Sequence, residues 1–142
     1  MKDWQSQAHV KWECKYHVVI VPKYRKKALY DSLRVKIGKI FRELCLQKGI
    51  ELVEGKAMPD HVHMLLSVPP RYSIAMTIGY LKGKSAIRIH RDLSRFKGTL
   101  FGRSFWARGY CVSTVGLEES AIRQYIQEQE QHQHNQDELN AT

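Results

Sequence analysis

Two histidines one residue apart, His61 and His63, stand at the head of the run DHVHMLLSVPP, residues 60–70. Imidazole is a good ligand for a divalent cation, and in an extended chain residues two apart point to the same side. A strand here would turn His61, His63, Leu65 and Ser67 to one face and Val62, Met64, Leu66 and Val68 to the other. Two imidazoles so placed can share one ion, and they need a third donor from elsewhere. The plain alternative is a half-buried strand whose wet side happens to carry histidines. The H-x-H pattern alone does not separate the two. Asp60 could ligate, but beside Pro59 it reads more simply as a turn residue. The second H-x-H, His132 and His134, is set aside: in a helix the two rings would diverge by about 200°, and in a loose tail they would have to be ordered first.

Tyr125 and Gln129 lie four residues apart in LEESAIRQYIQEQE, so on a helix they stack on one face, with Ala121, Ile122 and Ile126 on the same side. A tyrosine among apolar neighbours is ordinarily core. A tyrosine over a glutamine, on a helix docked against a sheet, can also supply a nucleophile and a metal ligand together. A free phenol ionises near pH 10, so it attacks poorly at neutral pH unless a metal or base helps remove its proton. The segment LKGKS, residues 81–85, looks like the end of a phosphate-binding loop, but that pattern needs glycine where Ile78 stands and a strand before it. Lys82, Lys84, Arg88 and Arg91 read instead as a basic helix face, in which Gly83 would let another backbone come close. No Ser-His-Asp arrangement, carboxylate pair or dinucleotide motif stands out.

These side chains need elements to hold them. Residues 9–22 alternate, with Val10, Trp12, Cys14, Tyr16, Val18 and Ile20 on one side and His9, Lys11, Glu13, Lys15 and His17 on the other, which predicts a first strand. Residues 31–48 carry Leu33, Ile37, Ile40, Phe41 and Leu44 at helical spacing, with Asp31 or Ser32 to cap and Gly49 to stop. IELVEGKAM and HVHMLLSV predict two strands joined by a Pro-Asp turn. Ser73 caps a second helix with Ile74, Ile78 and Leu81 on its inner face. FWARGYCVSTV predicts a fourth strand region, and a last helix follows Gly116. The order is that of an α+β, ferredoxin-like βαββαβ sheet with helices on one face and an added C-terminal helix. In that topology the first and third strands are central neighbours, which puts the wet side of one, with His17, beside the open side of the other. Trp12 and Tyr16 fall on the core side, unlike the exposed sheet aromatics of RNA-recognition modules.

With 142 residues, 43% hydrophobic and 26% charged, the chain has the composition of one globular domain. We take residues 1–131 as that domain and 132–142 as a polar tail. The apolar runs are too short to span a bilayer and the start lacks a signal peptide's apolar core, so a cytoplasmic protein without a membrane partner is expected. Cys14, Cys45 and Cys111 are widely spaced and odd in number, so reduced thiols are expected. The net charge of +9 favours a polyanionic partner, nucleic acid first.

YHVVIVPKYRKK, PDHVHMLLSVPP, YLKGKSAI, FWARGYCVSTVG and IRQYIQEQE occur here in one order. In that order they resemble the single-tyrosine HUH transposases of the small single-strand-DNA insertion sequences, the IS200-like transposases. The resemblance runs from about His9 to Glu130. It implies that His61 and His63 are metal ligands, that Gln129 is the third, and that Tyr125 is the nucleophile. It implies Mg²⁺ or Mn²⁺ as cofactor, no nucleotide cofactor, a homodimer, and single-stranded DNA with hairpin ends as substrate, cut and rejoined through a 5′-phosphotyrosine. Lys23, Arg25, Lys26, Lys82, Lys84 and Arg88 would then hold DNA phosphates. Relatives that process repetitive extragenic hairpins share the same core, so they stay open as an alternative. So do a non-catalytic nucleic-acid-binding module of the same fold and a zinc hydrolase using the histidine pair with water.

Overall fold

The protein is described here from a computed structural model, which covers residues 5–7, 10–12, 14–23, 31–92, 105–114, 120–121, 123–129 and 131. Its elements are β1 (Gln5–Gln7), β2 (Val10–Trp12), β3 (Lys15–Ile20), α1 (Asp31–Gln47), β4 (Glu51–Met58), β5 (His61–Ser67), α2 (Ile74–Asp92) and β6 (Cys111–Ser113). A last helix, α3, contains residues 120–121, 123–129 and 131. The expected tail, residues 132–142, lies outside the described residues.

The four-stranded sheet has the order β4-β5-β3-β6 with every pair antiparallel. This is the ferredoxin-like order, with β3 and β5 central. Tyr16, Val18 and Ile20 of β3 and Val62, Met64 and Leu66 of β5 point to the side covered by α1 and α2. There they pack with Leu33, Ile37, Ile40, Phe41 and Leu44 of α1 and Ile78, Leu81 and Ile89 of α2, all buried. Each such side chain contributes about 1.5–3 kcal/mol when fully buried, so the helix face of the sheet supplies most of the stability.

Local chemistry sets the helix ends. The Ser73 hydroxyl accepts the Met76 N–H at 3.0 Å, capping α2. After α1, Gly49 takes a left-handed φ of 68°. Its N–H donates to Leu46 and that of Ile50 to Cys45, at 3.2 and 2.9 Å, which closes the helix with paired carbonyls and buries Ile50. α2 runs unbroken through Gly79 and Gly83 to Asp92.

Two elements differ from the sequence reading. The single strand expected over 9–22 is two: β2 pairs with β1 in a separate ribbon, and only β3 enters the sheet. Alternation reports faces but not partners, so it ran through the break. The fourth strand region is ladder only at Cys111–Ser113. Before it, residues 105–110 form an irregular strap. Lys23 N–H donates to Phe105 and Ala107 N–H to Val21, at 2.8 and 2.7 Å. Pro22 has no N–H to offer between them, and Gly109, at φ 77°, turns the chain out of line.

Candidate metal and nucleophile site

The sheet face opposite α1 and α2 carries His61, His63 and Leu65 of β5, His17 and Val19 of β3, and Cys111 and Ser113 of β6. Register makes this concrete. Lys56, His63, Val19 and Cys111 form one cross-strand row, and Glu54, Leu65, His17 and Ser113 the next. α3 packs on this same face: Ile126 is buried with Val19, Val21 and Ala107, and Tyr125 and Cys111 lie against them. Ala121, expected to face the domain, is exposed, and the side chain of Ile122 lies outside the described residues.

His61 donates Nδ1–H to the Asp60 carboxylate at 2.9 Å. A carboxylate on one ring nitrogen fixes the tautomer and leaves the lone pair of Nε2 for a ligand. Asp60 is thus both turn residue and orienting partner. His63 has its Nε2 at 3.1 Å from His17 Nδ1, with ring centroids 5.2 Å apart. Burial, then the neighbouring His17 and His61, push its pKa below the ordinary imidazole value, with Glu54 opposing, so the ring is held neutral and fit to ligate. Among the described residues no three His, Cys, Asp or Glu side chains gather to hold an ion by themselves. The donor chemistry fits a divalent ion held with help from an amide or an outside donor, which is the part Gln129 could play. Gln129 is half-buried one turn beyond Tyr125 on α3.

Tyr125 lies over Cys111 and beside Gly109, where a β-carbon would stand 3.9 Å from the phenol oxygen. That oxygen is buried and has no hydrogen-bond partner among the described residues, so neither histidine reaches it. Burial, with Cys111 adding, pushes its pKa up to about 12. His63 and Cys111 belong to the same row, two strand spacings or about 10 Å apart. The histidine pair and the tyrosine therefore share a face without touching.

The strap beneath Tyr125 is held from α2. Lys82 Nζ donates to the carbonyls of Ala107 and Gly109 at 2.7 and 2.9 Å, and Trp106 Nε1 donates to Ser85 Oγ at 2.8 Å. Expected on a DNA-facing surface, Lys82 is turned inward. Arg88 pairs with Glu43 at 2.7 Å, Lys84 is exposed and Lys23 partly buried. Arg25 and Lys26 lie outside the described residues. Sequence reasoning missed the internal work of Lys82 and Ser85. The only signal was the helical spacing that put Ser85 on the side of Ile78 and Leu81. It put His17 on the correct face without finding its contact to His63.

The family model described as "Transposase IS200 like" matches residues 10–129. The chain is 43% identical over 129 residues to the transposase for insertion sequence element IS200 of Salmonella typhimurium, covering 91% of this chain and 85% of that one. It is 34% identical over 119 residues to the ISDra2 transposase TnpA of Deinococcus radiodurans, covering 83% and 85%. Among solved structures, a Deinococcus radiodurans protein described as a candidate transposase superposes with a TM-score of 0.75 at 33% identity, covering 91% of this chain and 98% of that one. A REP-associated tyrosine transposase bound to a REP hairpin superposes with a TM-score of 0.53 at 10% identity, covering 89% and 68%, a likeness of fold.

Proposed function

The chain belongs to the IS200-like transposases, and on that premise we propose that it cleaves and rejoins single-stranded DNA at insertion-sequence ends, with Tyr125 as nucleophile. The observation that carries this reading is the shared face: α3, bearing Tyr125 and Gln129, packs on the side of the sheet to which His61 and His63 point.

The Tyr125 oxygen attacks the scissile phosphorus. The new bond is Oη–P, the bond broken is P–O3′, and the phenol proton is lost as the departing 3′-oxygen gains one. The product is a 5′-phosphotyrosine and a free 3′-hydroxyl. The ester retains the energy of the diester, so the reverse attack by a 3′-hydroxyl rejoins strands without a nucleotide cofactor. Mg²⁺ or Mn²⁺, held by His61, His63 and Gln129, would polarise the phosphate and offset developing charge. At rest the phenol is neutral and turned into the protein, so attack requires α3 to lift Tyr125 from its place over Cys111. Asp60 keeps His61 in the ligating tautomer throughout. A single nucleophilic tyrosine per chain would call for a homodimer, since two DNA ends need two nucleophiles. The positive charge and exposed Lys84 would engage phosphates. The partner is single-stranded DNA with hairpin ends in the cytoplasm. The structural neighbour captured on a REP hairpin makes a hairpin-processing nuclease the second reading.

The test is a denaturing gel of the protein with labelled single-stranded DNA carrying hairpin ends plus Mg²⁺ or Mn²⁺. A covalent protein–DNA band that disappears in Tyr125→Phe is expected. Nicked DNA without adduct would point to a water-using hydrolase, and binding without cleavage to a non-catalytic module.

A further inference from the structure

Lys82 is a half-buried cation that meets no carboxylate among the described residues. Its ammonium donates instead to two backbone carbonyls of the strap, those of Ala107 and Gly109. Burial draws its pKa below the ordinary lysine value, a desolvation cost that an outward-pointing lysine would avoid. The two halves of the strap are held differently. The first half is packed by side chains: Phe105 and Trp106 are buried, their rings edge to face at 4.7 Å, and Trp106 lies 5.8 Å from Phe41. The second half has little to pack, since Arg108 is exposed and Gly109 has no side chain. Lys82 holds that half by its main chain. The two residues it holds are also the two on which α3 rests. Ala107 is buried with Ile126. Gly109, at φ 77°, leaves the space into which the Tyr125 oxygen projects, 3.9 Å from where a β-carbon would stand.

We propose that Lys82 is a positioning residue for Tyr125: by holding the carbonyls of Ala107 and Gly109 it fixes the seat of the phenol and so sets how readily α3 lifts the nucleophile to DNA. This rests on the reading of Tyr125 as nucleophile above and adds a residue from the other side of the sheet. Lys82 acts through the strap and touches neither DNA nor the reacting atoms. A firm seat keeps the phenol buried and neutral until DNA is in place. A loosened seat raises the share of molecules in which Tyr125 is already free to attack.

The test has two readouts on the full chain. Acetylation of tyrosines by N-acetylimidazole, followed by peptide mass spectrometry, reports whether the phenol leaves its seat and needs neither metal nor DNA. Single-turnover formation of the covalent adduct with saturating hairpin-ended single-stranded DNA and Mn²⁺ reports the consequence for attack. In Lys82→Met, Tyr125 is expected to be acetylated about tenfold faster, the factor that loss of one hydrogen bond to a charged donor is worth. Tyr16, packed against the main core, should keep its parental rate. The adduct should form faster than in the parent although the variant is less stable. Lys82→Arg keeps two donors and should restore the parental rates, and Lys82→Gln, uncharged and shorter, decides the matter if the methionine variant does not fold. Unchanged acetylation of Tyr125, or equal acceleration at Tyr16, would show that Lys82 only stabilises the fold and would overturn the proposal. Faster acetylation with slower adduct formation would make the seat the productive position and overturn it as well. No adduct from the parent would overturn the reading of Tyr125 as nucleophile and this role with it.

Discussion

Replacing Tyr125 with phenylalanine tests the resting position of the proposed nucleophile. The hydroxyl is buried and lacks a hydrogen-bond partner among the described residues. An unsatisfied buried polar atom costs about 1–3 kcal/mol, so at neutral pH Tyr125→Phe should be as stable as the parent or up to about 1 kcal/mol more stable. The pH dependence carries more information. Burial raises the phenol from 10.0 to about 12, so the folded protein keeps this proton where the unfolded chain has lost it. The stability from this group is whole below pH 10 and is lost as the pH rises to about 12. The two-unit shift is worth about 2.7 kcal/mol in all, of which about 1.4 kcal/mol is lost by about pH 11, and solvent screening of a partly exposed ring reduces this to about 0.7 kcal/mol. Urea unfolding of both proteins at about pH 7 and pH 11 measures it, since the difference between them cancels every other tyrosine and lysine. The stability difference should move toward the phenylalanine form by several tenths of a kcal/mol. A loss of more than 1 kcal/mol in Tyr125→Phe at pH 7, or a pH-independent difference, would show that the hydroxyl is bonded or in solvent and would refute the resting arrangement.

Lys82 and Lys84 should separate into two kinds of lysine. Lys82→Met strands the carbonyls of Ala107 and Gly109 and should lower stability by about 2 kcal/mol, read as a drop in Tm, whereas Lys84→Met should leave Tm unchanged and reduce the salt dependence of single-strand binding by about 0.7 in log–log slope. A β-carbon at Gly83 meets nothing within 4 Å, so Gly83→Ala should stabilise α2 by about 1 kcal/mol in thermal unfolding, and weakened DNA binding in that variant would show that a strand backbone lies against it. Gly109→Ala forces a side chain into a φ of 77° and should cost about 1–2 kcal/mol, measured by the same unfolding experiment.

Much of this was legible in the chain. The apolar periodicities of residues 31–48 and of 61–68 fixed both the helix and the strand and their inner faces, because burial in this core demands one face and one period. Gly49 and Ser73 announced their ends because few residues satisfy those backbone groups. His61 and His63 fell on the open face for the same reason of alternation. What could not be read were contacts that depend on which element lies over which. Lys82 looked like a phosphate-binding lysine on an open helix face, whereas its ammonium holds the carbonyls of the strap. The strap itself looked like strand because Pro22 and Gly109 act on pairing, not on local pattern. The His17–His63 contact is diagonal across two strands forty-six residues apart in sequence, and no local spacing encodes it.

As the proposed nucleophile, Tyr125 should become bonded to DNA. Mass spectrometry of the protein after incubation with hairpin-ended single-stranded DNA and Mn²⁺, followed by nuclease and protease digestion, tests it most directly. A nucleotide remnant attached through phosphate to Tyr125, absent from Tyr125→Phe and from His63→Ala, is the predicted result. A remnant on another residue, or strand cleavage that persists in Tyr125→Phe, would contradict it.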